Sequence, residues 1–294
     1  MAEVAVSELG YVGLGVSDLS RWRVFAGEML GMECVEAGET VQLRMDYWNC
    51  RIRLHADASD DLLYAGFRVS GPEDFRGMQR KLTRLGTPFE VGSFADANSR
   101  GVLELLRLED PAGIPIEIFH GPRIDYHAPM HPGRGMHGRF ATGAGGLGHM
   151  VVRDAGVEAS YRFYTEVLGL RGSVESRVQV GDAHVEVTFL HCNDRDHTVA
   201  FGLGPMKKRL HHLMIEVENV DDVGLAYDLV QKRALPVLLN LGKHANDQML
   251  SFYVQTPSGW FCEYGGAGRA AREQSEYSVR GVWGHDLVAP SLMG

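Results

Sequence analysis

Three side chains in the second half of the sequence could together bind one metal ion. His149, His212 and Glu263 each lie in a short apolar segment of the kind that forms a strand. Two imidazoles and one carboxylate make up the facial triad of non-haem iron(II) oxygenases, which leaves further coordination positions open. Carboxylate-rich sites favour magnesium or calcium, and thiolate sites favour zinc. The three residues therefore predict an Fe(II) site, with Mn(II) as a possible substitute because the same ligands accept it.

The sequence contains an internal duplication that singles out these three residues. Two segments of the first half have counterparts in the second, and each predicts a strand, a turn and an amphipathic helix. A third pair predicts hairpin strands with Pro and Gly at the same places. The matched pairs are residues 10–32 with 146–170, 63–89 with 211–237, and 110–118 with 256–264. In this alignment the three residues stand opposite Gly13, Tyr64 and Glu117, so only the carboxylate occurs in both halves.

The duplication predicts the fold class. We expect an α+β fold of four tandem βαβββ modules, which curl in pairs into two barrel-like domains. Residues 1–135 are predicted to form a metal-free domain, and residues 136–294 a catalytic domain with the iron site. The segment from about His120 to Gly145 is rich in Pro, Gly and His and is expected to be an exposed connector.

The first helix has predicted boundaries at both ends. Apolar residues recur in it at steps of three or four: Leu19, Trp22, Phe25 and Met29. Either Asp18 or Ser17 could cap the N-terminus of this stripe. A glycine follows the last helical turn in both copies, which suits a left-handed C-terminal cap.

His211 is an alternative to His212 as a metal ligand, and strand alternation favours His212. Leu213, Ile215 and Val217 share a face with His211, and this apolar face is expected to lie under the helix. His212 then points to the opposite face, into the barrel.

Composition limits the classes of partner. The chain has 294 residues, of which 45% are hydrophobic and 23% charged, and a net charge of −9. An acidic chain without a basic stripe argues against nucleic acid as a partner. No secretory signal and no apolar run of membrane-spanning length is visible, so we expect a soluble cytoplasmic protein. The four cysteines are widely spaced and are expected to be reduced, mostly buried thiols.

Three further motifs are interpreted as structural. The glycines from Gly143 to Gly148 fit G-x-G-x-x-G, but a connector precedes them and a strand follows, whereas a dinucleotide site needs strand, loop and helix. Three connector histidines have metal-like spacing, yet a solvated linker explains them better: His127, His131 and His137. The pair His184 and Glu186 is interpreted as part of an ordinary strand.

Several stretches resemble the type I extradiol ring-cleavage dioxygenases of the vicinal oxygen chelate superfamily. They are GLGHMVV, HCNDRDHTVAF, KRLHHLMIEV, GKHANDQMLSFYVQTPSGWFCEYG and the late VWGHD. The resemblance covers essentially the whole chain and is strongest to members that cleave 2,3-dihydroxybiphenyl. Residues 244–265 are its most specific part, because a ligand, an acid and a tyrosine keep their spacing together. The resemblance implies the glyoxalase-type barrel fold, with the three residues above as iron ligands.

The same resemblance implies roles for other residues. His197 would assist oxygen activation and proton movement, while His244 and Tyr253 would hydrogen-bond the bound catechol. Five further residues would form the substrate pocket: Val151, Phe189, Ala200, Asn246 and Asp247. Gly204 stands where the family has a bulky residue before Pro205, which predicts a change in pocket size.

The resemblance implies cleavage of an aromatic catechol by dioxygen, with a two-ring catechol favoured over a monocyclic or steroid-derived one. A non-catalytic binding protein or an isomerase is the alternative on this fold. A glyoxalase-type site, however, draws ligands from both halves of its barrel, and a binding protein needs no cluster of histidines. We further expect self-association into a homo-oligomer.

Overall fold

The chain folds into two curled β-sheets, one from each half of the sequence. The computed structural model describes residues 3–180, 183–271, 275–277 and 281–293. Elements of the first half are β1 (Glu8–Val16), α1 (Leu19–Arg23, continued by a π-helical turn at Val24–Met29), β2 (Glu33–Ala37), β3 (Thr40–Arg44), β4 (Ile52–Ala56), β5 (Leu62–Arg68), α2 (Pro72–Leu85), β6 (Glu90–Val91), α3 (Phe94–Arg100), β7 (Glu104–Glu109) and β8 (Pro115–His120). Those of the second half are β9 (His149–Val152), α4 (Val157–Arg162, continued by a π-helical turn at Phe163–Val167), β10 (Arg171–Val180), β11 (Ala183–His191), β12 (Val199–Phe201), β13 (Leu210–Val217), α5 (Val220–Lys232), β14 (Val237–His244), β15 (Leu250–Gln255), β16 (Phe261–Gly266), β17 (Ser275–Tyr277) and β18 (Gly281–Trp283).

The strand order differs between the two sheets. The first sheet has eight strands in the order β2-β3-β4-β1-β5-β8-β7-β6, and the second has ten in the order β17-β10-β11-β12-β9-β13-β16-β15-β14-β18.

The predicted α+β fold of four βαβββ modules is confirmed. In every module the last strand pairs in parallel with the first: β1 with β4, β5 with β8, β9 with β12, and β13 with β16. Two modules join through their first strands, which pair antiparallel as β1 with β5 and β9 with β13. The centre of each sheet is therefore made by first and last strands, and the aligned residues of the duplication lie there.

The predicted boundaries of the first helix are confirmed, and one choice is resolved. Asp18 is the N-cap, because its carboxylate accepts a hydrogen bond from the Arg21 amide. Gly31 and Gly169 follow the helices of the first and third modules with φ of 89° and 83°, a left-handed conformation that favours glycine. The sequence pattern did not predict that α1 and α4 each end in a π-helical turn.

The connector between the sheets is only partly exposed, which differs from the prediction. Its three histidines are exposed, but Phe140 is buried and Arg134 reaches into the second half. There the Arg134 guanidinium contacts the Asp222 carboxylate at 3.5 Å and the Tyr264 hydroxyl at 3.2 Å. The predicted domain boundary between residues 135 and 136 falls inside this anchored segment and stays a prediction.

The remaining motifs take the structural forms that were expected. Only a 3₁₀ turn at Gly143–Gly145 precedes β9, so the glycine motif does not open a helix. The His184–Glu186 segment lies in β11; the His184 side chain is outside the described residues. All four cysteines are free thiols, two of them buried and two half-buried. None of the helices in the described ranges is long and apolar enough to cross a bilayer.

Candidate active site

The three predicted metal ligands meet at the centre of the second sheet. His149 opens β9, His212 lies on β13 and Glu263 lies on β16, three strands that are neighbours in the sheet. The Nε2 atoms of the two histidines are 3.3 Å apart. Oε2 of Glu263 lies 3.1 Å from Nε2 of His149 and 3.4 Å from Nε2 of His212. One nitrogen from each histidine and one carboxylate oxygen thus converge on a single point.

The electrostatics of this cluster suit a cation. Burial lowers the pKa of His149 and of His212, so both imidazoles are neutral and offer lone pairs. Burial alone would raise the pKa of Glu263, but the neighbouring His149, His212 and His244 side chains hold it well below its ordinary value. Among the described residues, Oε2 of Glu263 accepts no hydrogen bond although it is buried. A buried anionic oxygen beside two imidazole lone pairs is the donor set of a divalent transition metal.

His211 contributes to the site in a way that sequence reasoning did not find. Its Nδ1 lies 2.8 Å from Nδ1 of His212, and burial, followed by the nearby His212 imidazole, lowers the pKa of His211 to about 3. The neutral His211 can therefore accept the Nδ1 proton of His212, which leaves Nε2 of His212 for a metal.

The predicted orientation of His211 was wrong. The β13–β9 ladder shifts register between Leu210 and His212, and this bulge breaks the alternation on which the prediction depended. His211 lines the same cavity as His212. Leu213 and Ile215, in contrast, pack in the core, where they face Trp22 of the first half.

The three predicted catalytic side chains surround the triad. The His197 ring lies against the His149 ring, with centroids 3.9 Å apart, and its Nδ1 is 3.3 Å from an oxygen of Asp196. Nε2 of His244 lies 2.9 Å from the Tyr253 hydroxyl and 3.4 Å from Oε1 of Glu263. His197 thus lies on the His149 side of the site, and the other two lie on the Glu263 side.

A cavity of about 570 Å³ opens from the triad and is walled mainly by apolar side chains. Four of the five predicted pocket residues line it: Val151, Phe189, Asn246 and Asp247. Ala200 does not: it pairs with Val151 and Phe189 in the sheet, packs against them and is fully buried. Burial raises the pKa of Asp247.

Gly204 is exposed and lies outside the cavity lining. Its φ of 85° is in the left-handed region, and a Cβ added there would meet no atom within 4 Å. The glycine therefore suits the turn between Leu203 and Pro205, and the change in pocket size stays a prediction.

A second cavity of about 390 Å³ also borders the site. It also touches His149, His197 and Asp247, but its walls carry charged groups in ion pairs. Arg269 contacts Asp196 at 3.2 Å, and Arg195 pairs with Glu216. Asp196 is thereby fixed behind His197.

Sequence reasoning also missed Ser251 and His285. The Ser251 hydroxyl donates to Oε1 of Glu263 at 2.7 Å, and His285 lies fully buried next to Ser251. His285 belongs to the VWGHD stretch, which was a signal of resemblance without a role. No local pattern distinguishes Ser251.

Comparison with known proteins identifies the relatives of this chain. Residues 146–264 match the model of the Glyoxalase/Bleomycin resistance protein/Dioxygenase superfamily, and residues 9–56 match that of the dihydroxybiphenyl dioxygenase BphC D1 domain. The chain is 52% identical over 285 residues to a biphenyl-2,3-diol 1,2-dioxygenase of Sphingomonas paucimobilis, covering 96% of this chain and 95% of the relative. It is 50% identical to a 1,2-dihydroxynaphthalene dioxygenase of Sphingobium xenophagum, covering 96% of this chain and 95% of that one.

Solved structures support the same grouping. The crystal structure of a catechol 2,3-dioxygenase superimposes with a TM-score of 0.95 at 48% sequence identity, covering 98% of this chain and 97% of the other. The Mn(II)-bound glyoxalase of Novosphingobium aromaticivorans, at 19% identity and a TM-score of 0.74, shares the fold. The chain belongs to the type I extradiol ring-cleavage dioxygenases of the vicinal oxygen chelate superfamily.

Proposed function

We propose that this protein is an Fe(II)-dependent extradiol dioxygenase that uses dioxygen to cleave a two-ring catechol beside its hydroxyl groups. One observation carries the proposal: two neutral imidazoles and a carboxylate converge at the inner end of an apolar cavity. The cavity has the size of a small-molecule site, which ranges from about 300 to 1,000 Å³. His197, His244 and Tyr253 lie beside the triad, where the diol would bind.

His149, His212 and Glu263 would hold the metal through Nε2, Nε2 and Oε2. Bound there, the metal would supply Lewis acidity toward a catechol hydroxyl and electronic contact between the ring and dioxygen. Fe(II) fits this donor set, and Mn(II) fits it as well. The two can be compared by reconstituting the same preparation with each ion.

His197 would accept the proton of the reacting hydroxyl. Its Nδ1 faces the Asp196 carboxylate, so Nδ1 keeps a proton and Nε2 is the basic nitrogen. Asp196 is suited to this task because it stays anionic: burial opposes its ionisation, but His197 and Arg269 hold its pKa below the ordinary value.

His244 and Tyr253 would hydrogen-bond the substrate oxygens on the opposite side. Their contact at 2.9 Å couples the two groups, so a proton given up by one can be replaced from the other. His244 is then available as the acid for cleavage of the O–O bond.

The preference for two rings is supported by the cavity wall and by the relatives. Beyond the triad the wall is apolar, with Val187, Leu203, Leu238 and Leu239 among its residues. The relatives at 52% and 50% identity are named for biphenyl-2,3-diol and 1,2-dihydroxynaphthalene, whereas a 3-methylcatechol 2,3-dioxygenase of Pseudomonas putida is 38% identical. A second aromatic ring would bury apolar surface that a single ring leaves in water.

The test is anaerobic reconstitution with Fe(II), followed by air and one catechol at a time. The substrates are 2,3-dihydroxybiphenyl, 1,2-dihydroxynaphthalene and 3-methylcatechol, and visible absorbance reports the ring-cleaved product. We expect product from all three, with the highest kcat/KM for a two-ring compound. His149→Ala should abolish the signal. Wild-type protein that binds no metal would overturn the proposal, and a preference for 3-methylcatechol would overturn the two-ring assignment.

We also infer that the protein is a cytoplasmic homo-oligomer that binds only small molecules at this site. Four large apolar side chains of the first half are more than half exposed: Val91 (59%), Phe94 (85%), Leu103 (68%) and Tyr126 (69%). Apolar surface of this kind is removed from water when subunits associate. Light scattering at several concentrations tests the inference, and a monomer at all of them would contradict it.

A further inference from the structure

The C-terminal segment brings a histidine underneath the candidate metal site. Strand β18 pairs with β14 at Lys243 opposite Trp283, and Val288 continues the contact by donating its amide to the Leu238 carbonyl at 3.0 Å. Between these contacts His285 turns inward, with no exposed surface. Its ring lies against the His244 ring, with centroids 4.1 Å apart.

Two glycines allow the backbone of β14 and that of the C-terminal segment to lie close together. A Cβ added to Gly242 on β14 would lie 2.2 Å from the His285 amide nitrogen, and one added to Gly284 would lie 2.3 Å from the Leu241 carbonyl oxygen. His285 itself has φ of 55°, a left-handed conformation that non-glycine residues rarely adopt. Strain of this kind persists only where the surrounding contacts hold the residue in place.

The contacts of His285 determine where one proton lies. Its Nε2 is 2.9 Å from the Ser251 carbonyl oxygen and 3.3 Å from the Ser251 hydroxyl oxygen. A carbonyl oxygen can only accept a hydrogen bond, so Nε2 of His285 carries a proton. The Ser251 hydroxyl cannot donate to a nitrogen that is already protonated. Its own proton is therefore directed to Oε1 of Glu263, 2.7 Å away.

This arrangement makes the two oxygens of Glu263 unequal. Oε1 is occupied by the Ser251 hydroxyl, whereas Oε2 faces the two imidazoles and has no hydrogen-bond donor in the described part of the chain. We infer that His285 is a positioning residue for the metal site: it orients the Ser251 hydroxyl onto Oε1, so that Glu263 offers Oε2 alone to the ion. This inference rests on the proposed metal site. His285 acts through Ser251 and contacts neither the substrate nor the metal in this arrangement.

Metal release in the absence of substrate tests the inference. Protein loaded anaerobically with Fe(II) is mixed with an excess of a chelator that forms a coloured ferrous complex, and the release rate is recorded. His285→Phe keeps a ring but removes the N–H, and we expect it to release iron about 10- to 100-fold faster, the usual effect of losing a partner behind a ligand. His285→Gln can return a donor to the same position and should recover most of the wild-type rate.

Ser251→Ala provides a second route that does not depend on the fold tolerating a change at His285. It should release iron as fast as His285→Phe, and the double variant should release it no faster than Ser251→Ala alone, because both residues act through one hydrogen bond. Multiplied effects in the double variant would overturn the inference.

Asp286→Ala is the matched control for loosening of the segment. Asp286 is exposed, and its carboxylate anchors the same segment by accepting a hydrogen bond from Asn240 at 3.0 Å. We expect wild-type release from this variant. Equally fast release from Asp286→Ala and His285→Phe would overturn the role of His285, as would wild-type release from His285→Phe. These results leave the proposed function intact, whereas wild-type protein that holds no iron would overturn both.

Discussion

The two halves of the molecule place a glutamate at the same position and surround it with different side chains. Glu117 lies on β8 opposite Gly66, and Glu263 lies on β16 opposite Met214. Both strands are the last of their modules and pair in parallel with the first strand of the same module. The difference between the halves therefore comes from the side chains around the carboxylate and not from the sheet.

In the first half the chain supplies the cation itself. The Arg100 guanidinium contacts Glu117 at 2.9 Å and lies 3.7 Å above the Tyr64 ring. Tyr11 donates its hydroxyl to Glu117 at 2.7 Å. A Cβ added to Gly13 would fall 2.1 Å from the Tyr64 ring, so that ring fills the space of the missing histidine. A buried carboxylate needs a positive partner, and here the partner is a side chain.

The origin of that side chain is an inserted element. Arg100 ends α3, which lies between β6 and β7. The corresponding connection of the second half, between β14 and β15, is a short loop whose Asn246 and Asp247 line the cavity beside the triad. The connection between β6 and β7 thus places the Arg100 cation beside Glu117, whereas the connection between β14 and β15 places no cation beside Glu263.

The largest expected contrast comes from the same substitution in both halves. Glu263→Gln should lower turnover by more than about a hundredfold and remove bound iron, since even losing a partner behind a ligand can cost that much in metal binding. Glu117→Gln should leave the iron content and kcat within about threefold of wild type. Iron per chain and product absorbance measure both effects. An equal loss of iron in the two variants would contradict the division of roles.

Removing the cation of the first half should reduce stability and not metal binding. Arg100→Met leaves Glu117 buried without its partner, and we expect a loss of about 3–5 kcal/mol in the free energy of unfolding, measured with urea. Arg107→Met is the control, because Arg107 is 37% exposed and lies 3.9 Å from Glu117. Its effect should stay below about 1 kcal/mol. Similar losses in both variants would show that the Arg100–Glu117 pair stabilises the fold no more than an exposed arginine does.

The metal-free protein should lose stability as pH falls from about 6.5 to 5.5. The pKa values of His149 and His212 are lowered by burial, so the unfolded chain binds more protons than the folded one in this range. Each histidine can contribute up to about 1.4 kcal/mol per pH unit. Glu263 does not change the stability in this pH range. Its carboxyl is ionised in the folded and the unfolded chain above about pH 4.3, the pKa of an unfolded glutamate. Urea midpoints at the two pH values give the slope.

His55 is a histidine of the first half that can be compared with His212 in the same pH experiment. Its pKa is lowered to about 4 by burial and then by the charges of Arg100 and Arg53, but the residue is only half-buried. His55→Gln should therefore flatten the pH slope less than His212→Gln does. The opposite order would mean that the first half governs the acid sensitivity.

The smallest expected effect is a second metal site grafted onto the first half. Gly13→His, Tyr64→His and Arg100→Ala together would restore a triad with Glu117 and remove both the ring and the cation that fill the space. We expect a second, weakly bound Fe(II) per chain in an anaerobic titration. Adding Glu117→Gln should abolish it. A stoichiometry that stays at one ion would show that more than these side chains separates the halves.

Much of this molecule could be predicted from its sequence. Side chains alternate along strands and recur every three or four residues in helices, so the duplication predicted four modules and the Asp18 cap region. The same duplication singled out His149, His212 and Glu263, because equivalent strand positions of a repeat come to equivalent places in the sheet. These features depend on short-range geometry that every βαβββ module shares.

Other features were decided only by the tertiary structure. A bulge turned His211 toward the cavity and made it a partner of His212, although ideal alternation predicted the opposite face. The links from His285 through Ser251 to Glu263, and from Arg100 to Glu117, join residues on separate elements. Their hydrogen bonds form only after the strands and the C-terminal segment have packed. A local pattern cannot contain them, because both the bulge and the pairing of distant polar groups are set by the surrounding fold.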